Sequence, residues 1–361
     1  MRALLLASLL VAGCQGTGAL GDQADDASLD AEPRDTSAAI DAPAAIDVAP
    51  ADAPAVIDVA RADTAPPRDI APPRDTALPD VAPLVDTSPP PPGDPQSRTR
   101  DEVCARWLAD RALRARTVWT AGPTQCDPGT LSMTAHDDAM RVLNAYRWMA
   151  GESAAGADPS LAAQQQACAV MMTVNGSLSH MPPSSWRCYS AAGAAAAGSS
   201  NLALGTSTPA ESVDLYANET GQELGHRRWV FAPNLGPTWF GATNRASCLQ
   251  TFRASRATIV PTVVAWPNPG PSPMEAFAGG VWHAQTGTRD VSGARVEVRN
   301  DATDAVLATS PVSSTGNYGN SSAVAWRPSG WTPAENTTYR VTLTLPSGAP
   351  VVYRTTPVRC R

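Results

Sequence analysis

No lysine occurs among the 361 residues, so all 27 basic side chains are arginine. That absence excludes lysine Schiff-base and lysine general-base chemistry. Histidine is nearly as scarce, with only His136, His180, His226 and His283 in the chain. Any imidazole chemistry must therefore draw on a very small set. No two cysteines have the C-x-x-C spacing typical of thiolate zinc sites. Positive charge is also scarce: the net charge is -7, and its distribution is uneven. Residues 15–98 hold sixteen acidic residues and five arginines, a net of -11, which leaves residues 99–361 at +3. The second part is close to neutral and offers no basic surface for nucleic acid.

The chain does contain a short apolar run from Ala3 to Val11, preceded by Arg2 and followed by Ala12-Gly13-Cys14. The run is too short to span a bilayer and has the charged, apolar and small-residue zones of an export signal. With a cysteine directly after the small residues, residues 1–14 resemble a bacterial lipoprotein signal. The resemblance implies cleavage before Cys14, lipidation of its thiol and a membrane partner through that anchor. Gln15 at the next position favours the outer membrane of a bacterial envelope.

Residues 15–98 are rich in Ala, Asp and Pro, with aspartates at five- to six-residue intervals from Asp41 to Asp86. Such a composition buries too little apolar surface to offset its ordering entropy, and a disordered tether is expected. Six cysteines remain after Cys14: Cys104, Cys126, Cys168, Cys188, Cys248 and Cys360. An even set in an exported chain implies three disulfides. Fifteen connectivities are open; the simplest pairs near neighbours, Cys104 with Cys126 and Cys168 with Cys188, leaving Cys248 with Cys360.

Helical patterning dominates residues 99–255. One helix is expected from about Asp101 to Arg114, a second opening at Asp137-Asp138, and a third opening at Asp158-Pro159. A fourth starts at Thr208-Pro209-Ala210-Glu211, which has capping-box spacing, and carries Val213, Tyr216 and Glu219. Trp239 to Thr243 has strand character. Beyond residue 256, short alternating runs separated by Gly, Pro, Asn and Asp predict strands: Thr258 to Trp266, Ala294 to Arg299, Ser322 to Trp326, Thr338 to Leu345 and Val351 to Thr356. The expected fold is α+β: a helical module at 99–255, then an antiparallel β-sandwich at 256–361.

Several short pieces between about 137 and 250 together resemble the CAP superfamily, also called SCP-like or cysteine-rich secretory protein domains. They are Leu143-Asn144-Ala145-Tyr146-Arg147, Asp158 with Leu161, Leu178-Ser179-His180, Asn201-Leu202-Ala203-Leu204-Gly205 and Gly225-His226-Arg227, followed by Pro233 and the Trp239 to Thr243 strand. The resemblance implies an α-β-α sandwich with a central cleft that gathers two histidines and acidic residues, in some members around zinc. It places His180 and His226 at the two histidine positions and Glu219 at the acid before the second. The other family glutamate, before the asparagine of a Glu-Asn-Leu motif, is replaced by Ser200. Ser200 and Asn201 are then expected at the ligand cleft, with Glu223 as a substitute acid.

Two neutral imidazoles and a carboxylate can hold Zn²⁺, the candidate cofactor, through His180, His226 and Glu219. The leading expectation is a membrane-tethered, extracytoplasmic protein whose two-histidine cleft binds a metal or a small or lipid ligand without catalysis. The candidate partners are an envelope polymer, a lipid or a protein. The alternatives are a zinc-dependent hydrolase of envelope peptides or lipids with Glu219 as base, and a structural adhesion module. His136, next to Asp137, is expected at a helix start, and His283 on a strand face. Asn144 and Arg147 are assigned to structure.

Overall fold

The computed structural model describes residues 93–233, 235–252 and 263–361. The expected export signal with Cys14, the expected tether up to residue 92 and the first part of the expected Thr258 to Trp266 strand lie outside the described residues. Residues 93–98, assigned by composition to the tether, already pack on the fold. Asp94 caps a short 3-10 turn, and the Arg98 guanidinium lies 3.7 Å above the Trp148 ring.

Six helices occur among the described residues: α1 (Arg100–Arg111), α2 (Met133–Met149), α3 (Ala162–Asn175), α4 (Ala191–Gly198), α5 (Pro209–Ala217) and α6 (Gly225–Val230). Thr99 and Glu102 form a full capping box at the start of α1. α2 begins earlier than its acidic pair suggests, because Ser132 accepts the Ala135 N–H as N-cap. Asp138 turns inward instead and accepts the backbone N–H groups of Arg114 and Ala115. The Asp158-Pro159 pair opens a 3-10 turn that leads into α3. At α5, Thr208 caps Glu211 N, but the Glu211 carboxylate reaches back to Ser207 N rather than to the cap residue.

A three-stranded antiparallel sheet is built from β3 (Ser200–Leu204), β4 (Phe240–Ala242) and β5 (Ala246–Gln250), in the order β3-β5-β4, and a small β1 (Trp119–Thr120) and β2 (Thr130–Leu131) pair stands apart. Successive side chains in a strand face opposite ways, so this sheet feeds two cores. Leu202 and Cys248 join Cys168, Met172 and Ala196 of α3 and α4. Ala203 and Leu249 join Val213 and Tyr216 of α5 and Leu143 of α2. Helices therefore cover both faces, giving the expected α-β-α layering. β4 passes so close to α3 that a Cβ at Gly241 would lie 1.9 Å from the Gln165 carbonyl oxygen. Only glycine fits there.

The C-terminal part is β-rich. β11 (Thr309–Val312), β12 (Ala323–Pro328), β8 (Trp282–Gln285) and β6 (Val264–Trp266) form one sheet in that order. The other runs β10 (Val306–Leu307), β9 (Arg295–Asn300), β13 (Tyr339–Thr344), β14 (Val351–Val358) and β7 (Gly270–Pro273). All these pairings are antiparallel except β14 with β7, which is parallel. The two sheets meet through Trp282, Trp326, Tyr339 and Val341. The same core continues into the helical part, where the Trp266 ring meets Phe231 at 5.2 Å and Tyr146 at 5.1 Å.

The near-neighbour disulfide pairing is overturned. The bonds are Cys104–Cys360, Cys126–Cys188 and Cys168–Cys248. Cys168 on α3 faces the sheet and meets Cys248 of β5 within their shared core. α1 packs on β7, whose partner β14 runs toward Cys360, so the chain end returns to Cys104. Three disulfides fit an extracellular or envelope protein. Among the described residues, no helix is long and apolar enough to cross a membrane.

Candidate functional site

The two histidine motifs converge. His180 and His226 line one open cleft of about 170 Å³, together with Asn201, Glu219, Trp229 and Phe252. His180 follows the end of α3, where the αL residue Gly176 terminates the helix. Its Nδ1 lies 2.9 Å from the Ala197 carbonyl oxygen. A carbonyl only accepts, so Nδ1 carries the proton and, in the neutral ring, Nε2 keeps its lone pair. His226 sits in the first turn of α6, a helix that directly follows Glu223 and Leu224, two consecutive non-glycine residues with left-handed φ of 66° and 52°. Its Nδ1 faces Glu219 Oε1 at 3.1 Å. The carboxylate fixes the same tautomer, so both histidines have Nε2 as the free acceptor. Tyr216 stacks on the His226 ring at 5.4 Å.

Glu219 lies beyond α5, which ends at Ala217 with Asn218 as its cap, and not on the helix as its spacing suggested. That turn lets its second oxygen accept the Arg227 N–H at 3.1 Å. Burial pushes the Glu219 carboxyl up. The hydrogen bonds from the His226 ring and the Arg227 amide outweigh it and hold the group below the usual carboxylate range. Arg227 is buried; desolvation lowers it to about 10, still a cation near neutrality. Its guanidinium donates to the carbonyls of Val281 and Glu219, which joins α6 to the β-rich part.

Asn201 and Ser200 are neighbours on β3 and point to opposite faces. Asn201 borders the cleft and donates from Nδ2 to the His226 carbonyl at 3.0 Å. Ser200 is not among the lining residues: its buried hydroxyl donates to Gln165 Oε1 on α3 at 3.0 Å. The expectation of Ser200 in the cleft is corrected by strand alternation. Glu223 borders the cleft but serves the fold. Its backbone N–H donates to Ser313 O at 2.7 Å, and its carboxylate accepts from Ser313 Oγ, Thr315 Oγ1 and the Gly316 N–H. These bonds hold its carboxyl below the usual range and tie it to the β-rich part.

The remaining histidines lie elsewhere. His136 is buried in α2, its ring 3.7 Å from that of Trp239, and burial lowers its basicity. His283 is fully buried in β8, where desolvation and the Arg227 and Arg228 charges hold it neutral. Asn144 exchanges hydrogen bonds with the Ala155 backbone. Arg147 donates to the carbonyls of Ser153, Val230 and Ala232. Both are structural.

Among the described residues, no group of three or more His, Cys, Asp or Glu side chains is placed to hold a metal ion. The cleft offers two Nε2 donors, while Glu219 is committed to the far side of one imidazole. That donor set does not fit a closed four-ligand zinc site. It does fit the pairing in which a carboxylate orients a histidine whose other nitrogen binds elsewhere.

This arrangement of paired histidines, strand asparagine and turn glutamate falls inside one recognisable stretch of chain. Residues 140–235 match the model of the CAP, cysteine-rich secretory protein family. The match supports a CAP domain that contains His180, Asn201, Glu219 and His226. No curated protein and no solved structure matches the chain. Four cleft residues were not anticipated from sequence: Gln222, Trp229, Phe252 and Tyr318. Trp229 lies two residues beyond the Gly225-His226-Arg227 piece, on the same helix α6. Tyr318 carries no sequence signal, because it lies beyond the CAP match in the β-rich part.

Proposed function

We propose that this chain is an envelope-tethered, extracytoplasmic binding protein whose CAP-domain cleft holds a small ligand on two histidines. The observation that supports this most directly is the shared polarity of the imidazoles. Each has Nδ1 committed to a protein acceptor and Nε2 left as an acceptor in the same cleft. A ligand that supplies hydrogen-bond donors, or a cation, satisfies both. The lipoprotein-like residues 1–14 and the Asp- and Pro-rich residues 15–98 support display at a membrane, with the three disulfides consistent with an oxidising compartment.

A metal-binding form of the same site is favoured by one feature, the Glu219–His226 pair, which is the second-sphere arrangement of metal-bound histidines. Zinc would then be held by His180 and His226 with open positions for water. The test is zinc titration of the full-length protein and of His180→Ala and His226→Ala, with melting temperature measured alongside. Stoichiometric binding that both variants lose, at unchanged melting temperature, supports the cleft. If either substitution collapses the fold, the histidines are structural and the reading fails.

A further inference from the structure

The cleft wall that the CAP domain does not supply comes from the segment between β11 and β12. Tyr318 lies on a short turn there and lines the cleft beside His226. Its ring packs on Gly225, where an added Cβ would approach within 3.1 Å of it. Arg228 holds the segment at both ends by donating to the carbonyls of Ser314 and Ser321, and its guanidinium carbon lies 5.6 Å from the Tyr318 ring. Glu223 fixes the stretch from Ser313 to Gly316. The β-rich part is thereby anchored on the helix that carries His226.

Resting on the ligand-binding reading above, we infer that the cleft takes a single sugar ring of a glycan and that Tyr318 is its specificity-determining wall. Phe252 and Tyr318 remain 39% and 38% exposed and line, with Trp229, a cleft that also carries two imidazole acceptors and the side chains of Asn201 and Gln222. An acyl chain would leave the two imidazole acceptors without partners. A small inorganic ion would leave the rings uncovered. A pyranose presents an apolar C–H face to an aromatic ring and hydroxyl donors at its edge, which suit the Nε2 lone pairs of His180 and His226. The volume of about 170 Å³ is below the roughly 300–1,000 Å³ of sites for drug-sized molecules. It accommodates one ring, and the open mouth lets a polymer continue beyond it.

The test titrates the full-length protein with N,N′-diacetylchitobiose and cellobiose, and separately with tetramethylammonium and octanoate, followed by calorimetry and saturation-transfer NMR. Saturable binding of at least one disaccharide is expected, weakened about tenfold in Tyr318→Ala and retained in Tyr318→Phe, in line with the loss of one ring contact. Zinc affinity, where present, should be the same in Tyr318→Ala and the parent. Binding of neither disaccharide, or equal sugar affinity in Tyr318→Ala, overturns the inference. So does saturable binding of tetramethylammonium or octanoate alone. A disaccharide that binds without zinc removes only the metal form of the cleft, whereas zinc binding without any disaccharide removes only the sugar assignment.

Discussion

Glu219 accepts the Nδ1–H of His226 at 3.1 Å from a turn just past the end of α5. The same carboxylate accepts the Arg227 N–H, so one side chain closes the turn and sets the imidazole tautomer. Replacing Glu219 with Ala should leave the ring free to rotate and to change tautomer. Any zinc affinity of the cleft should fall about 10- to 100-fold, read by calorimetry, while the His180→Ala effect is complete. Unchanged affinity would show that the carboxylate does not act on the ring.

Glu152 gives a pH prediction. It is buried, one oxygen lacks a hydrogen-bond partner among the described residues, and its other oxygen is 3.6 Å from Arg147. Burial raises its carboxyl to about 7, only partly opposed by Arg147. The folded state therefore holds a proton that the unfolded chain releases near its ordinary value, so stability falls as pH rises between those two values. Glu152→Gln should remove this dependence. It should raise stability by on the order of 1–3 kcal/mol at mildly alkaline pH and little at acid pH, measured by denaturant unfolding at both. A gain that is equal at the two pH values would contradict the assignment.

Cys104–Cys360 closes a loop with a sequence separation of 256. The paired substitution Cys104→Ala with Cys360→Ala should cost about 2–5 kcal/mol, visible as a lower melting temperature. Mass spectrometry of the unreduced digest should recover Cys104 with Cys360, Cys126 with Cys188 and Cys168 with Cys248. Recovery of the near-neighbour pairs would contradict the fold.

Gly241→Ala should destabilise by about 3 kcal/mol through overpacking, because its Cβ would overlap the α3 backbone at Gln165. Gly205→Ala is the control. It has open space around a Cβ but a left-handed φ of 89°, so its smaller loss would reflect backbone strain alone. Equal losses would remove the close approach of β4 to α3 as the cause.

Cys14→Ser tests the anchor. The protein should move from the membrane fraction to the soluble fraction, because lipid attachment at that thiol supplies the only strong membrane affinity proposed for it. Retention in the membrane fraction would contradict lipid anchoring.

Two helix starts were legible because caps act within three residues: Thr208 with Glu211 and Asp158 with Pro159 both mark real turns. At α2 the local signal misled, since Asp138 satisfies backbone donors from another segment while Ser132 caps the helix. The histidine pair was visible from its flanking motifs. Ser200 was misplaced because a resemblance aligns positions without fixing which strand face carries the motif. Glu219 was found, but its role as a ring-orienting acceptor depends on a turn that its spacing did not reveal.

By itself, the sequence determined the α+β class, the caps at Thr208 and Asp158, the even cysteine count and the two histidines, all of which depend on composition or on contacts a few residues apart. Only the tertiary structure decided the disulfide partners, the parallel β14–β7 pair, the commitment of Glu223 to the β-rich part and the arrival of Tyr318 beside His226. The reason is physical. Those contacts join segments tens to hundreds of residues apart, and their pairing is set by burial of a shared core, for which no local pattern in the chain is a record.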